Sequence, residues 1–263
     1  MLAILDGGCR VVGLKEGEWV LDGPLRIWKH FGREAGAKAI SLRVLELPGG
    51  SRATLRNEAA DEVLYVLSGS GPGLSPDTGI YLPPATSLEI AADETLTLVS
   101  SQCPDAGAIL EGYEPGHGSL TVVSMHDRPV QRTGDRWYRE VINADDGSTQ
   151  VTQFVGGIPP GRAPDHYHLY EEVIVILDGS GAMWAGTSNT PISSGSCIFL
   201  PHGQMHCVEN RGDGEMRLLG VFYPAGSPAV RYGKTTPVIL SERSESKDPR
   251  LITRLGGGLS RGK

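Results

Sequence analysis

Three histidines and one glutamate between residues 161 and 210 constrain the fold more than any other feature of the chain. His166, His168 and Glu172 are spaced by two and four residues, so on a β-strand their side chains share one face. Glu171 would then face the opposite side, and His206 must arrive from another strand. Polar groups buried on one face are costly unless they are paired or bind a metal. The pattern predicts a sheet with a metal site, and the alternative is a set of ordinary core or surface histidines.

The four predicted ligands, His166, His168, Glu172 and His206, indicate which metal such a site would take. The set contains no thiolate, so a closed structural zinc site is not expected. Three imidazoles and one carboxylate around a six-coordinate ion would leave positions open for a substrate or dioxygen. We therefore expect one divalent transition metal per chain, namely Fe, Mn, Ni or Cu, with zinc as the less favoured ion.

The two segments resemble the paired motifs of the cupin superfamily. In the first motif the two ligand histidines, Glu172 and Gly179 match, whereas Gly161 lies one residue closer to the histidines than the motif requires. The second motif matches at Gly195, Pro201, Gly203, His206 and Asn210. The resemblance implies a double-stranded β-helix, or jelly roll, with a metal site. It leaves the reaction open, because one fold hosts many chemistries.

An internal repeat extends this interpretation to the first half of the chain. The segment 61–71 is similar to 171–181, and the segment 80–83 is similar to 198–201. Two copies of one β unit predict an all-β, mostly antiparallel fold of two tandem cupin barrels. The first copy is shorter after its second glycine, so we expect it to lack or shorten a hairpin there.

The first copy does not keep the ligands of the second. Aligning Glu62 with Glu172 places Arg56 and Glu58 at the histidine positions and Leu88 at that of His206. The arginine and the carboxylates could pair with each other instead, or line a small-molecule pocket. We interpret the first copy as a degenerate cupin without a metal.

Changes in composition suggest where the domains begin and end. We expect a degenerate cupin at 1–105, a connector at 106–119 and the metal-binding cupin at 120–237. The remaining residues, 238–263, are low in hydrophobicity, which predicts a disordered tail.

Overall composition limits the partners that we expect. The net charge of −7 argues against nucleic acid and against an anionic membrane surface. No apolar run is long enough to span a bilayer, and the start of the chain lacks the pattern of a signal peptide. The four cysteines have no framework spacing, which fits a reducing cytoplasm. Uncapped sheet edges favour association, so we expect a homodimer built through strands of the N-terminal region.

Residues near the ligands suggest how a small-molecule substrate would be handled. Tyr170 shares the ligand face and would donate to a bound oxygen, although a core aromatic residue is the alternative. Glu172 could also leave the metal and act as a base. Arg162, His202 and Gln204 flank the ligands and are weaker candidates for substrate binding, the alternative for the two loop residues being simple solvent exposure.

The resemblance to metal-bearing two-domain cupins suggests an enzyme, and a dioxygenase of the quercetinase type first. Its substrate would be a small enolic, phenolic or dicarbonyl compound. An isomerase, a decarboxylase or an amidohydrolase remains an alternative on the same site, as does a non-catalytic protein in which the metal orients a small ligand. The lid sequence of oxalate decarboxylases is absent from the chain, and ureidoglycine aminohydrolases have a different ligand pattern.

Overall fold

The computed structural model describes residues 1–105 and 112–233, and β-strands dominate both ranges. The helical segments in these ranges are 3₁₀ turns at Asp6–Gly8, Arg33–Ala35, Met125–Asp127 and Ala144–Asp146. None of them has the length and apolar character of a helix that crosses a membrane. The tail predicted at 238–263 and residues 106–111 of the predicted connector lie outside the described residues.

The first half of the chain contributes ten strands to the part that the structure describes. They are β1 (Ala3–Ile4), β2 (Arg10–Gly13), β3 (Val20–Asp22), β4 (Leu25–Phe31), β5 (Leu42–Leu47), β6 (Arg52–Asn57), β7 (Asp61–Ser68), β8 (Thr78–Leu82), β9 (Thr86–Ala91) and β10 (Leu96–Cys103).

The second half contributes the remaining strands of the described ranges. They are β11 (Thr121–Ser124), β12 (Gln131–Thr133), β13 (Arg136–Ile142), β14 (Thr152–Ile158), β15 (Gly161–Arg162), β16 (Glu171–Asp178), β17 (Ser180–Ala185), β18 (Ser188–Ser193), β19 (Ser196–Leu200), β20 (His206–Asn210) and β21 (Met216–Tyr223).

These strands form two large sheets, each accompanied by a smaller one. The larger sheet of the first half has the order β11-β8-β7-β10-β5-β4-β3, and β6 pairs with β9 beside it. The larger sheet of the second half has the order β1-β2-β19-β16-β21-β14-β13-β12, accompanied by β15-β20-β17-β18. Strand pairs throughout residues 1–105 and 112–233 are antiparallel. The all-β, antiparallel jelly-roll prediction is confirmed.

Alternation along the central strands separates three hydrophobic cores. On β16, Ile174 and Ile176 pack inside the second half, while Val173 and Val175 face a core that both halves share. On β7, Tyr65 faces that shared core, whereas its neighbours of the opposite parity pack inside the first half. Because side chains point alternately to the two sides of a strand, each central strand serves two cores. The shared core holds the two large sheets face to face.

Strand pairing differs from the predicted domain ranges at the start of each half. The strands at Ala3–Ile4 and Arg10–Gly13 extend the second-half sheet, since Val11 pairs with Ile198. In return, Thr121–Ser124 extends the first-half sheet, where Val122 pairs with Ile80. β11, which lies within the predicted range 120–237, thus pairs in the first-half sheet, and β1 and β2, which lie within the range 1–105, pair in the second-half sheet. These are short edge strands, whose few residues carry no pattern that reveals a partner far away in the chain. The division into two domains itself stays a prediction.

The two repeats differ by the presence of one hairpin, as expected from the shorter sequence of the first copy. In the second half β17 and β18 form a hairpin with six paired positions from Ser180 to Ser193. At the equivalent place the first half has a tight turn closed by the Gly71–Leu74 bridge. The shorter first copy therefore lacks this hairpin, as its sequence predicted.

Candidate metal centre

Backbone pairing brings the second-half histidines together. His166 precedes β16 and forms an isolated antiparallel bridge with His206, the first residue of β20. Each backbone N–H donates to the other residue's carbonyl, at 3.0 Å from His166 and 2.8 Å from His206. His168 lies two residues further on the same side, which gives all three imidazoles a common direction. We call His166, His168 and His206 the histidine cluster.

The geometry of the histidine cluster suits one small cation. One ring nitrogen from each residue lies within 4.8 Å of the corresponding nitrogens of the other two. The ring centroids are 4.4 Å apart for His166 and His206, 4.9 Å for His166 and His168, and 5.2 Å for His168 and His206. All three side chains are buried.

Hydrogen bonds to the backbone fix the orientation of each ring. Nδ1 of His166 lies 3.1 Å from the Pro164 carbonyl oxygen. Nδ1 of His168 lies 2.9 Å from the Val230 carbonyl oxygen, and Nδ1 of His206 lies 2.8 Å from that of Gln204. A carbonyl oxygen only accepts, so Nδ1 carries the proton of each neutral ring. Nε2 then keeps a free lone pair, as is usual for histidines that bind a metal.

Burial also keeps these rings neutral. It is the main cause that lowers the pKa of His166 to about 2, of His168 to about 3 and of His206 to about 4. The neighbouring imidazoles lower the pKa of His166 and His168 further, because clustered rings disfavour a shared positive charge. Three neutral imidazoles with free lone pairs are the form that a cation binds.

Glu172 lies on β16 beside the cluster, and its carboxylate has an unsatisfied oxygen. The side chain is 4% exposed, and Oε2 has no hydrogen-bond partner among the described residues. This atom lies 3.9 Å from Nε2 of His168. Burial raises the pKa of Glu172 to about 8. An orphaned carboxylate oxygen beside three free imidazole nitrogens fits a divalent cation, which would satisfy all four groups.

Glu171 faces the other way, as the alternation predicted. Its carboxylate is buried between the two halves and accepts backbone N–H groups of the first half. The donors are the amides of Lys38 and Ala39, each 2.8 Å away, and that of Ile40 at 3.4 Å. The two adjacent glutamates therefore point to opposite faces of β16, and only Glu172 faces the histidine cluster.

Tyr170 lies in an aromatic stack next to the cluster. Its ring is 4.5 Å from that of His168 with an interplanar angle of 7°, and 4.2 Å from that of Phe222. Its hydroxyl has no hydrogen-bond partner within residues 1–105 and 112–233, and the side chain lines the cavity beside the histidines. Burial raises the pKa of Tyr170, so the hydroxyl keeps its proton and is a donor.

The three weaker candidates do not line this cavity. Arg162 is exposed, stacks 3.9 Å from the Trp184 ring centroid and pairs with Asp165 at 3.1 Å. His202 is exposed. Gln204 is buried, but its amide group donates to the Met205 carbonyl and packs against Gly7. Arg162 and His202 are close to the ligands in sequence but do not reach the cavity, and Gln204, proposed because it lies two residues before His206 on the same side, does not line it either.

Two cavity residues were missed by the sequence analysis. Arg136 and Arg231 line the same cavity as the histidine cluster, among mostly apolar walls. Arg136 is the first residue of β13 and shares the parity of Tyr138, which packs in the second-half core. That parity could have revealed it. Arg231 follows the last strand in irregular backbone, where alternation gives no signal.

The first half uses the equivalent positions for an internal ion pair. Glu62 is buried and accepts from Arg43 at 2.7 Å, from Ser100 at 2.6 Å and from Gln102 at 2.8 Å. Arg56, the partner that the sequence suggested, is exposed. The arginine comes from β5 instead, which lies two strands from β7 in the same sheet with β10 between them, a position that the alignment of the two copies did not reveal.

Comparisons with known proteins agree with this fold. Residues 154–222 match the family model described as "Cupin domain", and this stretch contains all four predicted ligands. The sequence matches no curated protein.

Solved structures with a similar fold include the protein YlbA from E. coli and two oxalate decarboxylases. YlbA superposes with a TM-score of 0.67 at 14% identity, covering 84% of this chain and 93% of its own. A mutant of the Bacillus subtilis oxalate decarboxylase gives a TM-score of 0.64 at 14% identity, covering 82% and 77%. The formate complex of the Lactobacillus farciminis oxalate decarboxylase gives 0.65 at 13%, covering 82% and 87%. At such identities the likeness concerns the fold.

Proposed function

We propose that this chain is a metal-dependent enzyme that binds, at the histidine cluster, a small compound that chelates the metal through its oxygen atoms. His166, His168 and His206 would hold a divalent Fe, Mn, Ni or Cu ion through Nε2, with Glu172 as the fourth ligand. The observation that carries the proposal is the set of three buried, neutral imidazoles whose Nδ1 atoms are all tied to backbone carbonyls. Without a cation, this arrangement gathers three imidazoles whose ring nitrogens lie within 4.8 Å of one another, and places an unpartnered buried carboxylate oxygen 3.9 Å from one of them.

A bound ion of this kind would supply redox or Lewis-acid chemistry next to the substrate. The chain's own residues would do the rest. The backbone hydrogen bonds of the histidine cluster keep the ligands rigid, and the apolar walls, such as Phe154 and Leu218, exclude water from the bound substrate. The Tyr170 hydroxyl would donate to a substrate oxygen, since it has no partner among the described residues.

The reaction that we propose first is oxygenation by a two-domain cupin of the quercetinase type. Imidazole and carboxylate ligands suit redox-active ions, and no thiolate is present to favour a closed zinc site. The substrate would be a small enolic, phenolic or dicarbonyl compound that presents neighbouring oxygens.

A second candidate is a reaction by proton transfer, as in an isomerase or a decarboxylase. The free Oε2 of Glu172 favours this candidate, because a buried carboxylate without a partner is placed to exchange a proton with a bound substrate. Under this alternative the substrate would be consumed without dioxygen.

Oxygen consumption by the metal-loaded protein separates the two candidates. We expect uptake with a panel of flavonols, dihydroxyaromatics and β-dicarbonyls, and its loss in Glu172→Gln and after metal removal. Glu58→Gln, at an exposed position of the first half, is the matched control and should behave like the native protein. Conversion of a compound at constant oxygen would favour proton transfer, and binding of a compound without any turnover would indicate a non-catalytic protein.

A further inference from the structure

Arg136 and Arg231 are the only cationic side chains that line the cavity of the histidine cluster within the described ranges. Both are half-buried. They come from separate places in the chain, since Arg136 starts β13 and Arg231 follows β21. Their meeting at one cavity is therefore a product of the fold.

Neither guanidinium has a partner among residues 1–105 and 112–233. No carboxylate of these residues lies within ion-pair distance of Arg136 or Arg231, and neither side chain donates a hydrogen bond there. Several other arginines of the protein are paired, for example Arg128 with Asp146 and Arg217 with Asp77. Arg139, on the same strand as Arg136, donates to three backbone carbonyls. Arg10 is also half-buried and without a partner among the described residues, but it does not line this cavity, so Arg136 and Arg231 are the unpartnered arginines that meet at the cavity of the histidine cluster.

The electrostatics of the pair is unfavourable without a ligand. Burial is the first cause that lowers the pKa of both arginines, and for Arg136 the charge of Arg231 comes next. Asp135 and Glu172 act on Arg231 through space, but neither forms an ion pair with it among the described contacts. Two neighbouring cations that are partly removed from water cost stability unless an anion is bound between them.

The segment that carries Arg231 is fixed to the metal centre. Tyr232 and Tyr167 exchange backbone hydrogen bonds of 2.8 Å and 3.0 Å. The Val230 carbonyl accepts from His168 of the histidine cluster at 2.9 Å. Because His168 and Arg231 share this support, a group held by the arginines keeps a fixed position relative to the cluster.

We propose that Arg136 and Arg231 form an anion subsite that binds a carboxylate or phosphate group of the substrate. The substrate is then a small organic anion, with its charged end on the arginines and its chelating oxygens toward the histidine cluster. Planar guanidinium groups suit both carboxylate and phosphate, which accept paired hydrogen bonds. The assignment of this anion as the substrate rests on the proposed function, while anion binding itself needs only the two arginines.

Calorimetric titration of the protein as purified, with its metal, tests the subsite. The probes are malonate, its neutral counterpart malonamide, and inorganic phosphate. We expect malonate or phosphate to bind at least tenfold more tightly than malonamide, and the tighter anion identifies the preferred group. Arg136→Met and Arg231→Met should each weaken anion binding at least tenfold without changing metal content. Arg132→Met, at an exposed position of β12, should bind like the native protein.

The subsite would be overturned if neither malonate nor phosphate bound more tightly than malonamide, or if anion binding were undiminished in both cavity variants. Arg136→Lys and Arg231→Lys guard against a folding defect, since they keep the charge but lose the paired geometry and should bind anions with intermediate strength. Metal content is measured on every sample. Arginine-dependent anion binding by a protein that holds no metal would support the subsite and refute the proposed function. Metal binding without anion selectivity would refute the subsite and leave the metal site of the proposed function supported.

Discussion

The adjacent residues Glu171 and Glu172 should respond in opposite ways to the same substitution. Glu171→Gln replaces a carboxylate that accepts three backbone N–H groups of the first half with an amide that presents its own donors to them. A hydrogen bond to a charged group is worth about 1.5–3 kcal/mol, so the loss of one or two should lower the free energy of unfolding by about 2–4 kcal/mol. The metal content should not change, since Glu171 faces away from the cluster.

Glu172→Gln should stabilise the metal-free protein. Burial raises the pKa of Glu172 from an ordinary 4.5 to about 8. At pH 7 the carboxyl is then neutral in the folded protein and ionised in the unfolded chain, which favours unfolding. The raised pKa costs stability once the pH exceeds the unfolded value, and the difference at pH 7 amounts to up to about 3 kcal/mol. The amide would remove this cost and also the fourth ligand, so metal binding should weaken.

Urea denaturation of metal-free protein at pH 7, combined with metal analysis of protein purified without chelators, measures both effects. Glu58→Gln serves as the exposed control for both variants. Loss of metal in Glu171→Gln together with its retention in Glu172→Gln would contradict these roles of the two glutamates. Destabilisation of the metal-free protein by Glu172→Gln as strong as that by Glu171→Gln would contradict them as well.

Three further predictions concern the site, its titration and the sheet edge. In Gly220→Ala the new Cβ would clash with the Phe154 ring and lie 3.1 Å from a carboxylate oxygen of Glu172. We therefore expect the free energy of unfolding, measured by urea denaturation, to fall by about 1–3 kcal/mol, together with a lower metal content. Gly214→Ala, whose new Cβ would meet nothing within 4 Å, is the control. The depressed pKa values of the histidine cluster mean that the unfolded chain takes up protons first. The contribution of the histidine cluster to the stability of the metal-free protein should therefore be complete above about pH 6.5 and fall by up to about 4 kcal/mol per pH unit as the pH falls toward 4. Denaturation of metal-free Glu172→Gln at pH 7, 6 and 5 is the test, because this variant lacks the opposing titration of Glu172. We propose a homodimer through the N-terminal strands, and Leu21→Lys on the exposed edge strand β3 should make it monomeric in light scattering, whereas a monomeric native protein would contradict the proposal.

Local alternation allowed much of the site to be predicted. Spacings of two and four residues determine which side chains share a strand face, and this selected Glu172 over Glu171 and placed the histidines on one side. The repeat likewise predicted the antiparallel fold and the missing hairpin of the first half. These features depend on residues that are close in sequence or that recur at matching positions.

Features that depend on distant pairing were not predictable in this way. The exchange of β2 and β11 between the two halves is set by contacts across the shared core, and short edge strands carry no periodic signal for it. The Arg43–Glu62 pair and the approach of Arg231 to the cavity also arise from segments brought together only by folding. Strand parity predicts the face of the sheet on which a side chain lies, but it does not predict which distant residue that side chain contacts.

Metal content per chain tests the central claim most directly. Elemental analysis of protein purified without chelators should find about one divalent transition metal per chain, as expected for a single set of imidazole and carboxylate ligands. His166→Ala and His206→Ala should each lose most of it, while Arg56→Ala and Glu58→Ala, both exposed in the first half, should retain it. Two metals per chain, or full retention in the double His166/His206 variant, would contradict the assignment of the histidine cluster as the metal site.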